Sequence, residues 1–437
     1  MKKLVIIILL FLSVLKICGQ NNLLNVTVKE TKFFYKDSVF GEITYGNYEP
    51  TGIVALADGS LVISTRFSMR FLGRQVSETY EEFSARQRIY RKKSHIRSGS
   101  VFMLNKDREK QWEIFFKDKP IRTIKLLPDE TILVAGDVLA SNFFWIAKIS
   151  KEGEILDKNE FRFKRNPTVR SVGTDSLNNM YVLLEAGRME IVSVTRLQHG
   201  HRRIRFFQES DGMKDNIYLL KISPANRILW STAVDRRRDY WSSGRDLVVH
   251  NSDIFVTASF EGFRKERGEY IRDVGRTLFL IGKNGRIKQT YPLENKRIFT
   301  NNNQLLFTTF EHSDTLVLYE VKNTLDSLLP IETVIFGDEI RRFWVRDFKE
   351  GESYNYIFAT HRHNLGCLLI KLDKDNRYVG HWKDSSENIS SLVDGVITPN
   401  NSVAILASQW LKSPGNSATE RVHSIKLIEI EMKENDK

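Results

Sequence analysis

Disulfides, membrane spans and the common catalytic signatures are all missing from this sequence. Two cysteines occur among its 437 residues, Cys18 and Cys367. Cys18 lies at the end of a leader-like segment, so the remaining chain keeps one thiol and no internal disulfide. Its fold must then be held by an apolar core. Cys367 opens the run Cys367-Leu-Leu-Ile-Lys-Leu and reads as a buried strand thiol rather than a nucleophile. Past the leader, no apolar run is long enough to cross a bilayer. The sequence also lacks a Ser-x-Asp-x-Gly-x-x-Trp box, a Gly-x-Ser-x-Gly elbow, a Walker loop and a Gly-His…Trp-Asp repeat. Each of those motifs would have pointed to a specific chemistry or repeat family.

What is present begins with the leader. Residues Met1 to Gln20 combine Lys2 and Lys3 with an apolar run from Leu4 to Leu15. That pattern reads as a secretory signal peptide over residues 1–19, followed by a single domain over 20–437. Lipidation of Cys18 is the alternative; Lys16 and Ile17 fit it poorly, because such a site takes small residues. The expected location is secreted, periplasmic or on the cell envelope. The formal charge is +12, and subtracting Lys2, Lys3 and Lys16 leaves +9. Export argues against nucleic acid as the partner of so basic a chain. An acidic polysaccharide, anionic headgroups or an acidic protein surface fit better.

A repeat organises the rest. A strand, a tight polar turn and a strand rich in Val, Ile and Ala return seven times: Ile53–Ser64, Ile124–Gly136, Ser171–Glu185, Leu247–Ser259, Ile298–Phe310, Val345–Thr360 and Val396–Ser408. A second strand–turn–strand follows in several copies, as in Val101–Phe116, Trp145–Phe161, Ile217–Val234, Leu278–Leu293 and Cys367–Trp382. Four short strands per unit at a period of about 40–50 residues predict an all-β, seven-bladed β-propeller with four-stranded antiparallel blades. The seventh repeat runs out after its third strand, His423–Met432. A spare strand in Asn25–Phe34 or Val39–Tyr45 is expected to complete that blade and close the ring. Trp112, Trp230 and Trp382 recur in the second halves and read as packing between blades. With turns such as Asp58-Gly59-Ser60, the chain resembles exported bacterial propellers with DGS-type turns, a resemblance that implies architecture and not activity.

Strand order places the B–C and D–A connections on one face, around the channel mouth. Three long B–C insertions are expected there, at about 66–97, 185–214 and 260–276. They carry much of the basic charge: Arg91 and Lys93 with Tyr90 in the first, Arg202, Arg203 and Arg205 in the second, and Arg267 in the third. A D–A connection on the same side holds Arg236, Arg237 and Arg238 followed by Tyr240 and Trp241. Arginine forks suit carboxylate, sulfate or phosphate, and the aromatic rings suit sugar faces. Part of the first insertion, Glu78–Lys93, has helical spacing. Charged rims are also ordinary in propellers, and local Glu residues are available as partners.

Three functions follow. The first is a binding protein that holds an acidic glycan or an acidic partner protein on this face. The second is a lyase on uronate-containing polysaccharide, with His199, His201, His361, His363 and Tyr240 as candidates for proton transfer. The third is an envelope assembly scaffold. The two His-x-His pairs have metal-ligand spacing if their loops converge, but no metal and no cofactor is expected.

Overall fold

The computed structural model describes residues 24, 26–33, 45–70, 79, 81, 97–138, 141–163, 167–186, 189–195, 204–209, 217–235, 240–250, 253–266, 269–293, 297–301, 304–311, 315–321, 328–336, 343–361, 366–384, 391–412 and 421–432. The leader, Cys18 and most of the 66–97 insertion, including all of its expected helical stretch except Thr79 and Glu81, lie outside the described residues.

Strand β1 is Val26–Phe33. The first blade follows, with β2 (Tyr45–Ala55), β3 (Leu61–Arg70), β4 (Arg97–Leu104) and β5 (Lys110–Phe116). Blade 2 contains β6 (Ile121–Leu126), β7 (Ile132–Asp137), β8 (Phe143–Ile149) and β9 (Ile155–Arg162). Blade 3 contains β10 (Thr168–Thr174) and β11 (Met180–Glu185). A separate hairpin of β12 (Met189–Thr195) and β13 (Ile204–Glu209) interrupts it before β14 (Ile217–Ile222) and β15 (Ile228–Asp235). Blade 4 is β16 (Tyr240–His250), β17 (Asp253–Glu266), β18 (Glu269–Gly282) and β19 (Ile287–Pro292). Blade 5 is β20 (Arg297–Asn301), β21 (Gln304–Glu311), β22 (Thr315–Val321) and β23 (Leu328–Ile335). Blade 6 is β24 (Phe343–Glu350), β25 (Asn355–His361), β26 (Cys367–Leu372) and β27 (Tyr378–Lys383). Blade 7 has β28 (Ser391–Ile397), β29 (Val403–Lys412) and β30 (Arg421–Met432) from the end of the chain.

The fourth strand of blade 7 is β1. It pairs antiparallel with β30 from Val26↔Met432 to Phe33↔Ile425, so the Asn25–Phe34 segment closes the ring and covers an edge that would otherwise offer free N–H and C=O groups. The seven-bladed, N-terminally closed propeller expected from the repeat is the architecture found.

The core is distributed, not central. Adjacent residues of one strand serve opposite faces of a blade: Ile132 and Val134 pack toward blade 1, and Leu133 and Ala135 pack toward blade 3. Each of the seven seams holds its own apolar cluster, including blade 7 against blade 1 through Leu406, Leu427, Ile63 and Phe102. Burial on both faces explains why the middle strands read as continuous apolar runs rather than alternating ones. Cys367 is fully buried at the seam of blades 6 and 7, and burial, followed by the Asp384 charge, pushes its thiol well above the ordinary range. It is an inert core group.

The tight turns lock the seams from outside. The Trp112 indole N–H donates to the Lys151 carbonyl of the next blade at 2.9 Å, and Trp230 repeats the contact to Lys283 at 3.1 Å. Trp382 packs into the blade 6–7 cluster beside Val26 and Met432. All three tryptophans therefore pack between blades.

The segment expected as an insertion at 260–276 has a different character. β17 and β18 run on beyond the blade, paired without a break from Asp253↔Gly282 to Glu266↔Glu269. Its backbone groups are satisfied by its own ladder, so a polar sequence suffices to extend the sheet.

Candidate functional site

The innermost strand of each blade lines the channel, and six of the seven carry a β-bulge. The bulges fall at Thr51, Arg122, Arg170, Arg245–Asp246, Arg346 and Val393. A bulge inserts one residue and re-aims the side chains around it. In blades 4 and 6 the bulge carries a charged pair, Arg245–Asp246 and Arg346–Asp347, while the flanking apolar residues stay in the seams: Val345 and Phe348 are buried on either side of Arg346 and Asp347.

The result is three charged tiers. Nearest the mouth, on the B–C and D–A face, stand Arg122, Arg170, Arg245 and Arg346. One residue on come Asp246, Asp347 and Asp394, with Arg297 in blade 5. Two residues deeper are Lys125 and Lys349.

Arg122 is held by Asp137, with Nε and Nη2 at 2.7 and 2.6 Å from Oδ2. Arg170 pairs with Glu185. Arg297 bridges blades, pairing with Asp246 of blade 4 and donating from Nε to the Val345 carbonyl of blade 6 at 3.3 Å. Arg245 donates from Nε to the Ser259 hydroxyl at 3.1 Å. The Arg346 Nε is buried and has no hydrogen-bond partner among the described residues. Arg276 of β18 stands opposite Ser259 across the ladder. These last guanidiniums feel one another. Burial, then Arg245 and Arg297, lower Arg276 to about 10; burial, then Arg297 and Arg245, lower Arg346; burial, then Arg297, lower Arg245. All remain cations at neutral pH.

The lower tiers are internally compensated. Lys349 lies 2.7 Å from Asp347; burial would lower it, but Asp347 and Asp394 outweigh that and hold it above its ordinary value. Burial pushes Asp394 up, even though Lys349 opposes the shift. It pushes Lys125 down, with Lys349 adding to the effect. Lys125 of blade 2 thus senses blades 6 and 7 across the channel. At the far end, a cavity of about 450 Å³ opens among the A–B turns of blades 6, 7, 1 and 2, with Glu130, Glu350 and Glu352 in its lining. Two of these glutamates have lysine neighbours, Lys151 at 3.8 Å from Glu130 and Lys374 at 3.7 Å from Glu350.

The residues singled out from the sequence are only partly placed. Arg91, Lys93, His199, His201, Arg202, Arg203, Arg236, Arg237, Arg238, Arg267 and His363 lie outside the described residues. Arg205 sits on β13 opposite Val194, in the hairpin inserted into blade 3. Tyr240 and Trp241 begin β16, the strand that carries Arg245, and pair with Gly262 and Glu261 of the extended hairpin. His361 ends β25 and packs edge-to-face on Phe343, with ring centroids 5.3 Å apart. The channel arginines were not singled out from the sequence. Their signal was an Arg-polar-apolar step in four repeats: Arg122-Thr-Ile, Arg170-Ser-Val, Arg245-Asp-Leu and Arg346-Asp-Phe.

No family model matches the chain, and no curated protein matches it. Solved structures do resemble it. A Bacteroides caccae protein of unknown function aligns at 13% identity over 67% of this chain and 92% of that one, with a TM-score of 0.38. The Dos1 propeller aligns at 8% identity over 92% and 94%, with a TM-score of 0.45. A Pseudomonas brassicacearum lignostilbene dioxygenase aligns at 10% identity over 88% and 97%, with a TM-score of 0.44. At such distances these likenesses say nothing of activity, and the sheet order itself establishes the propeller.

Proposed function

We propose that the protein is an exported recognition propeller that binds an acidic ligand, a glycan or an acidic partner surface, at the arginine-rich mouth of its channel. The observation that supports this reading is the gathering of Arg170, Arg245, Arg276, Arg297 and Arg346 at one end of the channel, facing only Glu185 and Asp246 as ion-pair partners among the described residues. Guanidiniums brought together this way repel one another, and an incoming anion relieves that repulsion. The basic segments around Arg91, Arg202 and Arg236 would widen the same field. Export is supported by the Lys-Lys start and the apolar run Leu4–Leu15.

The test is capture of the purified protein on immobilised acidic and neutral polysaccharides, and on an acidic protein surface, over a salt series. Binding confined to acidic supports and falling steeply with salt is expected, since exposed charge interactions are screened over about 8 Å at physiological ionic strength. Binding indifferent to salt, or equal on neutral supports, overturns the reading. Ultraviolet absorbance from new unsaturated uronate ends in the same mixtures would replace recognition with lyase chemistry.

A further inference from the structure

The repeat provides an internal comparison that defines the mouth more closely. In every bulged blade, the residue just before the bulge pairs with a residue of the second strand, and the next position along that second strand lies level with the residue two before the bulge. In blade 2 that position is Asp137 (Ile121↔Gly136), and in blade 3 it is Glu185 (Val169↔Leu184, Thr168↔Glu185). Both carboxylates do two things. Each pairs with the arginine of its own bulge, and each accepts a backbone N–H from the next blade, Val169 to Asp137 at 2.9 Å and Gly244 to Glu185 at 3.0 Å.

Blades 4 and 6 keep the arginine and lose the carboxylate. The matching position is Ser259 in blade 4 (Ser243↔Ser259) and Thr360 in blade 6 (Trp344↔Thr360). Thr360 still accepts the next blade's N–H, from Leu392 at 3.4 Å, so the seam contact survives without a charge to meet Arg346. Ser259 offers Arg245 a hydroxyl only. Arg276 adds a third guanidinium beside them, and no ion pair joins it to a described residue. The nearby Asp347 is engaged by Lys349. Counting the six arginines at the mouth, Arg122 included (+6), against Asp137, Glu185 and Asp246 (−3) leaves +3.

We propose that the channel mouth between blades 4 and 6 is a binding site for one multiply charged tetrahedral oxyanion, of the sulfate or phosphate class, held by Arg245, Arg276 and Arg346 with Arg297 behind them. A carboxylate brings one charge and two oxygens, which a single fork saturates. A tetrahedral group brings two charges and oxygens in several directions, matching guanidiniums that arrive from different strands. Arg245 and Arg346 sit on innermost strands, and Arg276 reaches them from the third strand of blade 4, so the group enters end-on, as the tip of a larger ligand or as a free ion. The proposal deepens the acidic-ligand reading and rests on it.

The test uses the full-length processed protein. Calorimetry and thermal unfolding are run with sulfate, phosphate, acetate and chloride at matched ionic strength, then with a sugar sulfate and a sugar phosphate to separate the two sources. Saturable heat and a rising Tm with sulfate or phosphate, and neither with acetate or chloride, are expected. Arg346→Met and Arg245→Met should each weaken binding by more than about tenfold, while Arg66→Gln on blade 1 leaves it intact. Without ligand, Arg346→Met should unfold no earlier than the parent, because an uncompensated cation has gone; that guards against reading misfolding as lost binding. No saturable response, or a response that survives both methionine variants, overturns the proposal. Sulfate uptake without capture of any acidic polymer or acidic protein would sustain this site and remove the wider reading. Polymer capture unaffected by Arg346→Met would do the reverse.

Discussion

Lys426 and Glu30 join the two ends of the chain in a single ion pair. Lys426 is on β30 and is 1% exposed; Glu30 is on the closing strand β1, and Asp384, beyond β27, lies 3.6 Å from the same ammonium. The propeller's last blade is therefore bound to its first strand by a buried cation as well as by backbone pairing.

The two partners of Lys426 should differ sharply in what they contribute. Glu30 keeps 38% of its side chain exposed, whereas Asp384 keeps 7%. Glu30→Gln is expected to cost under about 1 kcal/mol, as for an exposed pair. Lys426→Met strips the cation from a buried carboxylate and should cost about 3 kcal/mol or more. Lys426→Met combined with Asp384→Asn should recover most of that loss. Urea unfolding of the four proteins, compared at equal m-value, measures it. Equal costs for the two single variants would show that the burial of Asp384 is irrelevant.

Closure itself is tested by removing residues 22–33. The β30 strand, Arg421–Met432, would then present a long unpaired edge next to the apolar blade 6–7 seam. Aggregated or insoluble protein is expected, rescued by adding the excised segment as a peptide during refolding. Size-exclusion chromatography reads the outcome. A monomeric, soluble deletion would mean that β1 is dispensable.

Two turn glycines with nearly the same backbone should respond differently to alanine. Gly59 has φ +87° and nothing within 4 Å of a new Cβ; Gly153 has φ +89° and the Trp112 ring at 2.8 Å. Gly59→Ala should cost only the left-handed strain, about 1–2 kcal/mol. Gly153→Ala should cost more and should disturb Trp112, whose indole bonds to Lys151. Unfolding midpoints measure the first effect, and tryptophan emission before unfolding measures the second.

The fold was legible in the sequence because the propeller writes itself locally. Polar turns such as Asp58-Gly59-Ser60 recur at a nearly constant spacing, and strands buried on both faces leave unbroken apolar runs such as Tyr181–Leu184. The site was less legible for the same reason. The apolar period sets in at Ile124, Ser171 and Leu247, which is two residues past Arg122, one past Arg170 and two past Arg245. A bulge breaks the two-residue period, and a charged residue at the break resembles the end of a strand. The dense charge around Arg91 and Arg202 is conspicuous in sequence, whereas four arginines scattered over more than two hundred residues meet only once the ring closes. The extension of β17 and β18 was hidden too, because a hairpin paired with itself needs no apolar face.

Lys125 provides a prediction whose sign depends on pH. Burial first, and then the neighbouring Lys349, push its ammonium below the ordinary 10.5, against the opposing pull of Asp347 and Asp394. In the unfolded chain the group regains its ordinary value. Between the folded value and 10.5 the unfolded chain binds the proton more tightly, so stability rises with pH across that window. Below the folded value the full penalty is present. Lys125→Met removes it and should stabilise the protein at neutral pH by about 1 kcal/mol, a modest figure because water reaches the channel. The advantage should narrow as pH approaches 10.5, where the parent carries a neutral amine in both states. Paired denaturation curves at neutral and alkaline pH measure the difference between the two proteins, which cancels titrations common to both. An advantage that stays constant with pH would assign the gain to packing of the methionine and leave the Lys125 charge without a cost.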